Sequence, residues 1–212
     1  MLFLTEKIEF PPVSATSPEG IIAFGGDLSV ERLICAYKNG IFPWFEDDSL
    51  IIWWSPDPRM VLFPESLKIS NSMGQVLKSN RFKVTFNQNF TDVIINCSEI
   101  KRNGQGSSWI TDEMINAYTR LYDMGLAKSV EVWENNKLVG GLYGIDLGHV
   151  FCGESMFSKV SNSSKFALIK LVQKLQKQNY ILIDCQVYTR HLESLGAAEI
   201  PREEFLKILR QV

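Results

Sequence analysis

Cysteine pairs, histidine clusters and long apolar runs are missing from this chain, and each absence removes a class of protein. Cys35, Cys97, Cys152 and Cys185 lie far apart with no CxxC spacing, which argues against both a zinc knuckle and a disulfide framework. His149 and His191 are too few for a histidine-rich site, so no metal is expected. No apolar stretch approaches the roughly 20 residues of a membrane span, so no membrane partner is expected. The opening Met1-Leu2-Phe3-Leu4-Thr5-Glu6-Lys7 meets acid at once and has no basic leader; it does not read as a secretory signal. A reducing cytoplasm is the expected location. There is no GxxxxGK[ST] loop, and Gly25-Gly26 and Gly140-Gly141 make no dinucleotide fingerprint. The run Gly153 to Phe157 lacks the second glycine of a GxSxG elbow and misplaces its serine. The expected chemistry therefore uses no metal and no covalent nucleophile.

What is present suits a folded protein with a real core: 212 residues, 45% hydrophobic and 22% charged. The net charge of −2 conceals an uneven spread. Residues 1–58 hold three basic and nine acidic side chains, whereas residues 59–83 hold Arg59, Lys68, Lys78, Arg81 and Lys83 against Glu65 alone. Lys159, Lys165, Lys170, Lys174 and Lys177 form a second basic stretch with no acid from Met156 to Ile183. Such blocks can bind phosphates whatever the total charge. The i, i+4, i+7 spacing of Lys170, Lys174 and Lys177 equally describes a solvated helix face.

Local signals divide the chain. Asp27-Leu28-Ser29 followed by Val30 to Gly40 predicts a helix with a cap before it and a glycine stop. Ile41 to Phe45 reads as an irregular aromatic loop, and strands are predicted over 50–54 and 59–63. Helices are predicted over 70–80, 90–99 and 111–124, with a strand over 83–86 between the first two and a loop over 102–108. Two strands around Asn135-Asn136 give a hairpin, and a further strand covers 149–157. A helix over 163–178, a strand over 180–187 and a short helix over 189–195 follow, and residues 203–211 close the chain. The run from 127 onward is α+β with a mixed sheet, and it resembles the core of the GNAT acyltransferase fold. No spare amphipathic seam remains, so a monomer is expected.

Some polar residues sit where apolar ones belong. In Ile183-Asp184-Cys185-Gln186-Val187, alternation puts Asp184 and Gln186 on one face. Burying them unpaired is costly, so they are either a satisfied pair at a sheet end or an acid/base and orienting pair in a cleft. Glu154 lies mid-strand among Phe151, Cys152 and Met156, and alternation places Cys152, Glu154 and Met156 together. Gly153 beside it permits close approach of a ligand or chain. Two strands with one acid each suggest a single polar cleft. Trp53 and Trp54 lie in an apolar strand and read as core. Trp44 and Trp109 lie on loops, where aromatics either stack on bases or form small clusters.

Long runs of this sequence then resemble the leucyl/phenylalanyl-tRNA–protein transferase family. They include Ala23 to Ser29, Asn39 to Phe45, Trp53-Trp54-Ser55-Pro56-Asp57-Pro58-Arg59, Trp109-Ile110-Thr111, Ser129 to Trp133, Leu138 to Gly144, Phe151 to Ser158, Leu182 to Val187 and His191 to Ala197. The resemblance implies a small N-terminal α/β domain over 1–62 and a C-terminal GNAT-like domain over 63–212. It implies transfer of Leu or Phe, and Met less well, from aminoacyl-tRNA to proteins beginning with Lys or Arg, within the N-degron pathway. Asp184 and Gln186 match the pair that assists attack by the acceptor amine, and Glu154 matches an acid that holds the basic N-terminus. Leu142, Phe151, Met156 and Ile183 map to the aminoacyl side-chain pocket, with Leu142 standing where the family often has Met. Trp44 and Trp109 match the aromatics that grip the 3′-terminal adenosine. The basic stretches supply Lys78, Arg81, Lys83 and Lys165 as the expected phosphate contacts.

Two other readings compete. A CoA-dependent N-acetyltransferase on the same fold would need a glycine-rich pyrophosphate loop, but the stretch from Ser158 to Ser164 has no glycine. A non-catalytic RNA-binding module would leave the polar strand residues without a chemical role.

Overall fold

Side-chain caps fix where the helices begin. In the computed structural model, which describes residues 2–45, 50–100 and 110–211, Ser29, Ser70, Thr111 and Thr189 each accept a hydrogen bond from the backbone N–H three residues on. Each cap satisfies a donor that the first helical turn would otherwise leave free. The chain runs β1 (Phe3–Leu4), β2 (Ile21–Gly25), α1 (Val30–Lys38), β3 (Phe42–Pro43), β4 (Ile52–Trp54), β5 (Arg59–Leu62), α2 (Asn71–Lys78) and β6 (Lys83–Phe86). It continues through α3 (Phe90–Ser98), α4 (Asp112–Asp123), β7 (Ala127–Glu134), β8 (Lys137–Asp146) and β9 (Val150–Ser158). The last part is α5 (Ser163–Lys177), β10 (Leu182–Gln186), α6 (Arg190–Glu193), β11 (Ala198–Ile200) and α7 (Arg202–Leu209). Among the described residues no helix is long and apolar enough to cross a membrane.

Two sheets result. The smaller has the order β1-β2-β4-β3, and the larger β11-β5-β10-β9-β8-β7-β6. Only β9 and β10 pair in parallel within the larger sheet; its other neighbours are antiparallel. This is the α+β architecture with a mixed sheet, and α5 supplies the crossover that a parallel pair requires. Asn135 and Asn136 close the β7–β8 hairpin with positive φ at both positions, as its tight turn demands. α5 packs on one face of the sheet, and α3 and α4 on the other. At Gly140 an added Cβ would meet the Ser163 side chain at 2.4 Å, so glycine lets the start of α5 sit directly on β8.

Four described strands fall outside the expected elements, the two-residue β1 (Phe3–Leu4) among them. Ile21–Gly25 and Ala198–Ile200 lack the alternation that marks a half-buried strand. Phe42–Pro43, expected within an irregular loop, pairs with Trp53 and Trp54 instead. Their partners are distant in sequence, so local pattern does not announce them. The loop expected over 102–108 lies outside the described residues. One apolar cluster joins Leu33, Tyr37 and Trp53 with Phe90, Tyr118, Cys152 and Phe205, and so runs from the smaller sheet to the far face of the larger. A second lies under α5 and holds Leu142, Phe151, Ile183 and Leu168.

Candidate active site

The parallel pairing of β9 with β10 stops at Cys152 and Asp184. One residue later β9 bulges: Gly144 pairs with Gly153 and Tyr143 with Ser155, so Glu154 has no partner on β8. A bulge shifts the phase of a strand by one residue. Cys152 and Phe157 therefore belong to one apolar cluster, and Phe151 and Met156 to the other. The expectation that Cys152, Glu154 and Met156 share a face is thus corrected, because strict alternation does not survive the extra residue. β10 is irregular at the corresponding level. Its register against β5 shifts between Asp184 and Gln186, and Gln186 takes φ +66°, a left-handed conformation that non-glycine residues seldom adopt.

Between these two irregular strand ends lies a cavity of about 490 Å³. Leu142, Phe151, Met156 and Ile183, all four expected pocket residues, line it together. Glu154, Asp184 and Gln186 line it as well, with Phe42 and Trp44 from the segment that joins the smaller sheet. The cavity thus has an apolar part and a polar part.

The polar part is a connected network. Gln186 Nε2 donates to Glu154 Oε1 at 2.8 Å, and Tyr118 Oη donates to Glu154 Oε2 at 3.2 Å. The Tyr118 and Tyr37 hydroxyls hydrogen-bond each other, so α1 and α4 both reach the site. Burial pushes the Glu154 carboxyl up to about 7; hydrogen bonds from Tyr37, Tyr118 and Gln186 work the other way, and the charge of Asp184 adds to the rise. Asp184 is 1% exposed and forms a bidentate ion pair with Arg59, which is equally buried. Arg59 Nε donates to Oδ1 at 2.8 Å and Nη2 to Oδ2 at 2.7 Å. Oδ1 also accepts the Gln186 backbone N–H at 2.9 Å. Burial raises the thiols of Cys152 and Cys185, so neither offers a thiolate at neutral pH.

The remaining expected residues are spread out. Trp44 lies at the cavity, its ring 5.6 Å from that of Trp54, whose Nε1 donates to the Trp44 carbonyl. Trp53 is fully buried core. Trp109 lies outside the described residues. Lys165 is on the first turn of α5, next to cavity-lining Ser164. Lys78 lies instead at the end of α2, Arg81 in the connection that follows it, and Lys83 at the start of β6, the edge strand of the larger sheet. Arg81 is already paired with Glu134 at 2.6 Å. Lys174 of α5 sits over the Phe86 ring, which joins the second basic stretch to this edge.

Sequence reasoning missed Arg59, Tyr37, Tyr118 and His191. The signal for Arg59 was available: a cation opening an apolar strand needs a buried anion, and Asp184 is the lone acid of another apolar strand. The tyrosines carried none, since both also serve as ordinary helix core. His191 also lines the cavity; burial and nearby Lys165 lower its pKa.

An apolar cavity that ends on a carboxylate poised near neutrality, beside thiols held protonated, suits acyl transfer to a nucleophile brought in by the substrate. The protein is an acyltransferase of the kind that acts on aminoacyl groups. It belongs to the leucyl/phenylalanyl-tRNA protein transferase family, whose model matches residues 61–210, with the family's N-terminal domain matching residues 26–57. It is 61% identical over 210 residues to the leucyl/phenylalanyl-tRNA–protein transferase of Flavobacterium johnsoniae, covering 99% of each chain. It is 56% identical over 211 residues to that of Flavobacterium psychrophilum, covering 100% of each. Among solved structures, a GCN5-related N-acetyltransferase from Kribbella flavida aligns with a TM-score of 0.41 at 9% identity, over 78% of this chain and 59% of that one.

Proposed function

We propose that this protein transfers Leu or Phe, and Met less well, from aminoacyl-tRNA to the α-amino group of proteins that begin with Lys or Arg. The products would enter N-degron degradation. The observation that carries the reading is the junction of apolar and acidic walls in one cavity. Leu142, Phe151, Met156 and Ile183 would receive the aminoacyl side chain, while Glu154 would face the cationic acceptor. The ester of an aminoacyl-tRNA is already activated, so holding two substrates in line accounts for much of the acceleration. The acceptor nitrogen attacks the ester carbonyl, a C–N bond forms, and the C–O bond to the terminal ribose breaks. The amine loses a proton and the ribose oxygen gains one. Asp184 and Gln186 would assist the attack, the Gln186 amide orienting the amine beside Glu154.

In this reading Trp44, with Trp109, grips the 3′-terminal adenosine. Lys165 meets the acceptor end, and Lys78, Arg81 and Lys83 meet phosphates further along. Residues 1–62 and 63–212 act as two domains of a cytoplasmic monomer, and no cofactor is needed. The test is transfer of labelled Leu from Leu-tRNA to a peptide beginning with Arg, compared with one beginning with Ala. It uses wild type and Gln186→Gly, a variant that keeps the left-handed backbone accessible. Transfer to the Arg peptide alone, lost in the variant with tRNA binding kept, supports the reading. No transfer from Leu-, Phe- or Met-tRNA by folded protein overturns it.

A further inference from the structure

We infer that Arg59 is a positioning residue for aminoacyl transfer: through Asp184 it holds Gln186 in its left-handed conformation and thereby aims the Gln186 amide at Glu154. The inference rests on the proposed reaction and adds a residue to it. Arg59 opens β5, and Asp184 lies 125 residues away on the neighbouring β10. Among the described residues, the guanidinium spends its hydrogen bonds on Asp184 alone. Nε and Nη2 take one carboxylate oxygen each, and Nη1 has no partner. The guanidinium carbon lies 4.8 Å from the Phe42 ring centre and 4.7 Å from that of Phe205, so aromatic walls fix its plane as well as its charge.

The carboxylate held in this way does one further thing. Oδ1 accepts the Gln186 backbone N–H at 2.9 Å. That bond falls on the residue with φ +66°, a conformation that costs free energy and persists only where its surroundings over-determine it. The turn aims the Gln186 side chain back across the gap between β10 and β9, where Nε2 reaches Glu154 at 2.8 Å. With both oxygens committed to a buried cation, Asp184 is badly placed to take the proton of an incoming amine. Its contribution passes through geometry.

The experiment compares wild type with Arg59→Lys, which keeps the charge and loses the fork, and with Arg59→Met, which loses both. Two readouts are taken: single-turnover transfer of Leu at saturating acceptor, and hydrogen exchange at the Gln186 backbone amide by NMR on uniformly 15N-labelled protein. The expected result is a fall in transfer rate of about tenfold or more with KM for Leu-tRNA within about twofold, and loss of Gln186 protection by about tenfold or more while core strand amides keep theirs. A lowered melting temperature with the transfer rate intact below it would reduce Arg59 to fold maintenance and overturn the inference. So would a slowed rate with Gln186 protection unchanged. An unprotected Gln186 amide in wild type would overturn it without any variant. If wild type transfers nothing, the proposed reaction fails separately, and the exchange comparison alone decides the positioning.

Discussion

Gln186 Nε2 and Glu154 Oε1 stand 2.8 Å apart across the gap where β9 and β10 cease to pair. An amide donor on a left-handed residue thus meets a carboxylate on a bulge, and each irregularity exists in register with the other. Glu154 titrates near neutrality because burial disfavours its charged form more than its three hydrogen bonds restore it.

The first prediction concerns rate against pH. If the ionised Glu154 orients the cationic acceptor, kcat/KM for an Arg-initiated peptide should rise through about pH 7. Tyr118→Phe removes a donor that favours the ionised form, so the rising limb should move to higher pH. Glu154→Gln should lose the limb and much of the rate. A wild-type profile without a rise in this region would contradict the assignment.

Stability carries the same signature. The folded Glu154 holds its proton to about pH 7, above the ordinary value of 4.5, so the native state binds more protons than the unfolded chain between those values. Wild-type stability should therefore fall as pH rises from about 4.5 to 7, by on the order of 2 to 3 kcal/mol from this group. Urea unfolding at pH 5 and pH 8 should show the fall in wild type and a smaller one in Glu154→Gln.

Specificity should follow cavity volume. Met156 is partly exposed and lines the apolar part. Met156→Phe should shrink that part and penalise Phe more than Leu, moving the ratio of their kcat/KM values about tenfold toward Leu, the low end of what a single methylene misfit discriminates. Competition between labelled Leu-tRNA and Phe-tRNA reads the ratio directly.

The basic edge makes a separable prediction. Lys78→Glu with Lys83→Glu should weaken tRNA binding about tenfold and reduce the slope of log affinity against log salt by about 1 to 2. Transfer from saturating aminoacyl-tRNA should be unchanged, because α2 and β6 lie away from the cavity. Filter binding at several salt concentrations is the measurement. Arg81→Glu should add less, since Glu134 already holds that side chain.

Gly144 tests the bulge itself. A Cβ there would sit 2.2 Å from the Cys152 carbonyl oxygen and 2.6 Å from the Phe151 ring. Gly144→Ala must therefore displace β9 beside Glu154, at a cost of about 3 kcal/mol or more. Its urea midpoint should fall with an unchanged slope, and residual transfer activity should fall further than stability alone requires.

Much of this was legible in the sequence. The helix starts are local events: a serine or threonine answers an N–H three residues away, and four of the helices begin at such a cap. The Asn135-Asn136 hairpin is equally local. Asp184, Gln186 and Glu154 drew notice because unpaired polar groups in apolar strands are costly, and the structure gathers all three around one cavity. Leu142, Phe151, Met156 and Ile183, assigned through family resemblance, line that cavity too.

Tertiary structure decided how those residues are arranged. Alternation alone put Met156 beside Glu154, but the bulge turned it to the other cluster. A bulge is defined by the partner strand, so one strand's sequence cannot announce it. Arg59 meets Asp184 across 125 residues, and only the pairing of β5 with β10 makes each the other's counter-ion. Short-range hydrogen bonding and hydrophobic period are written along the chain; strand register, and with it the aim of each polar side chain, exists only once distant segments pack.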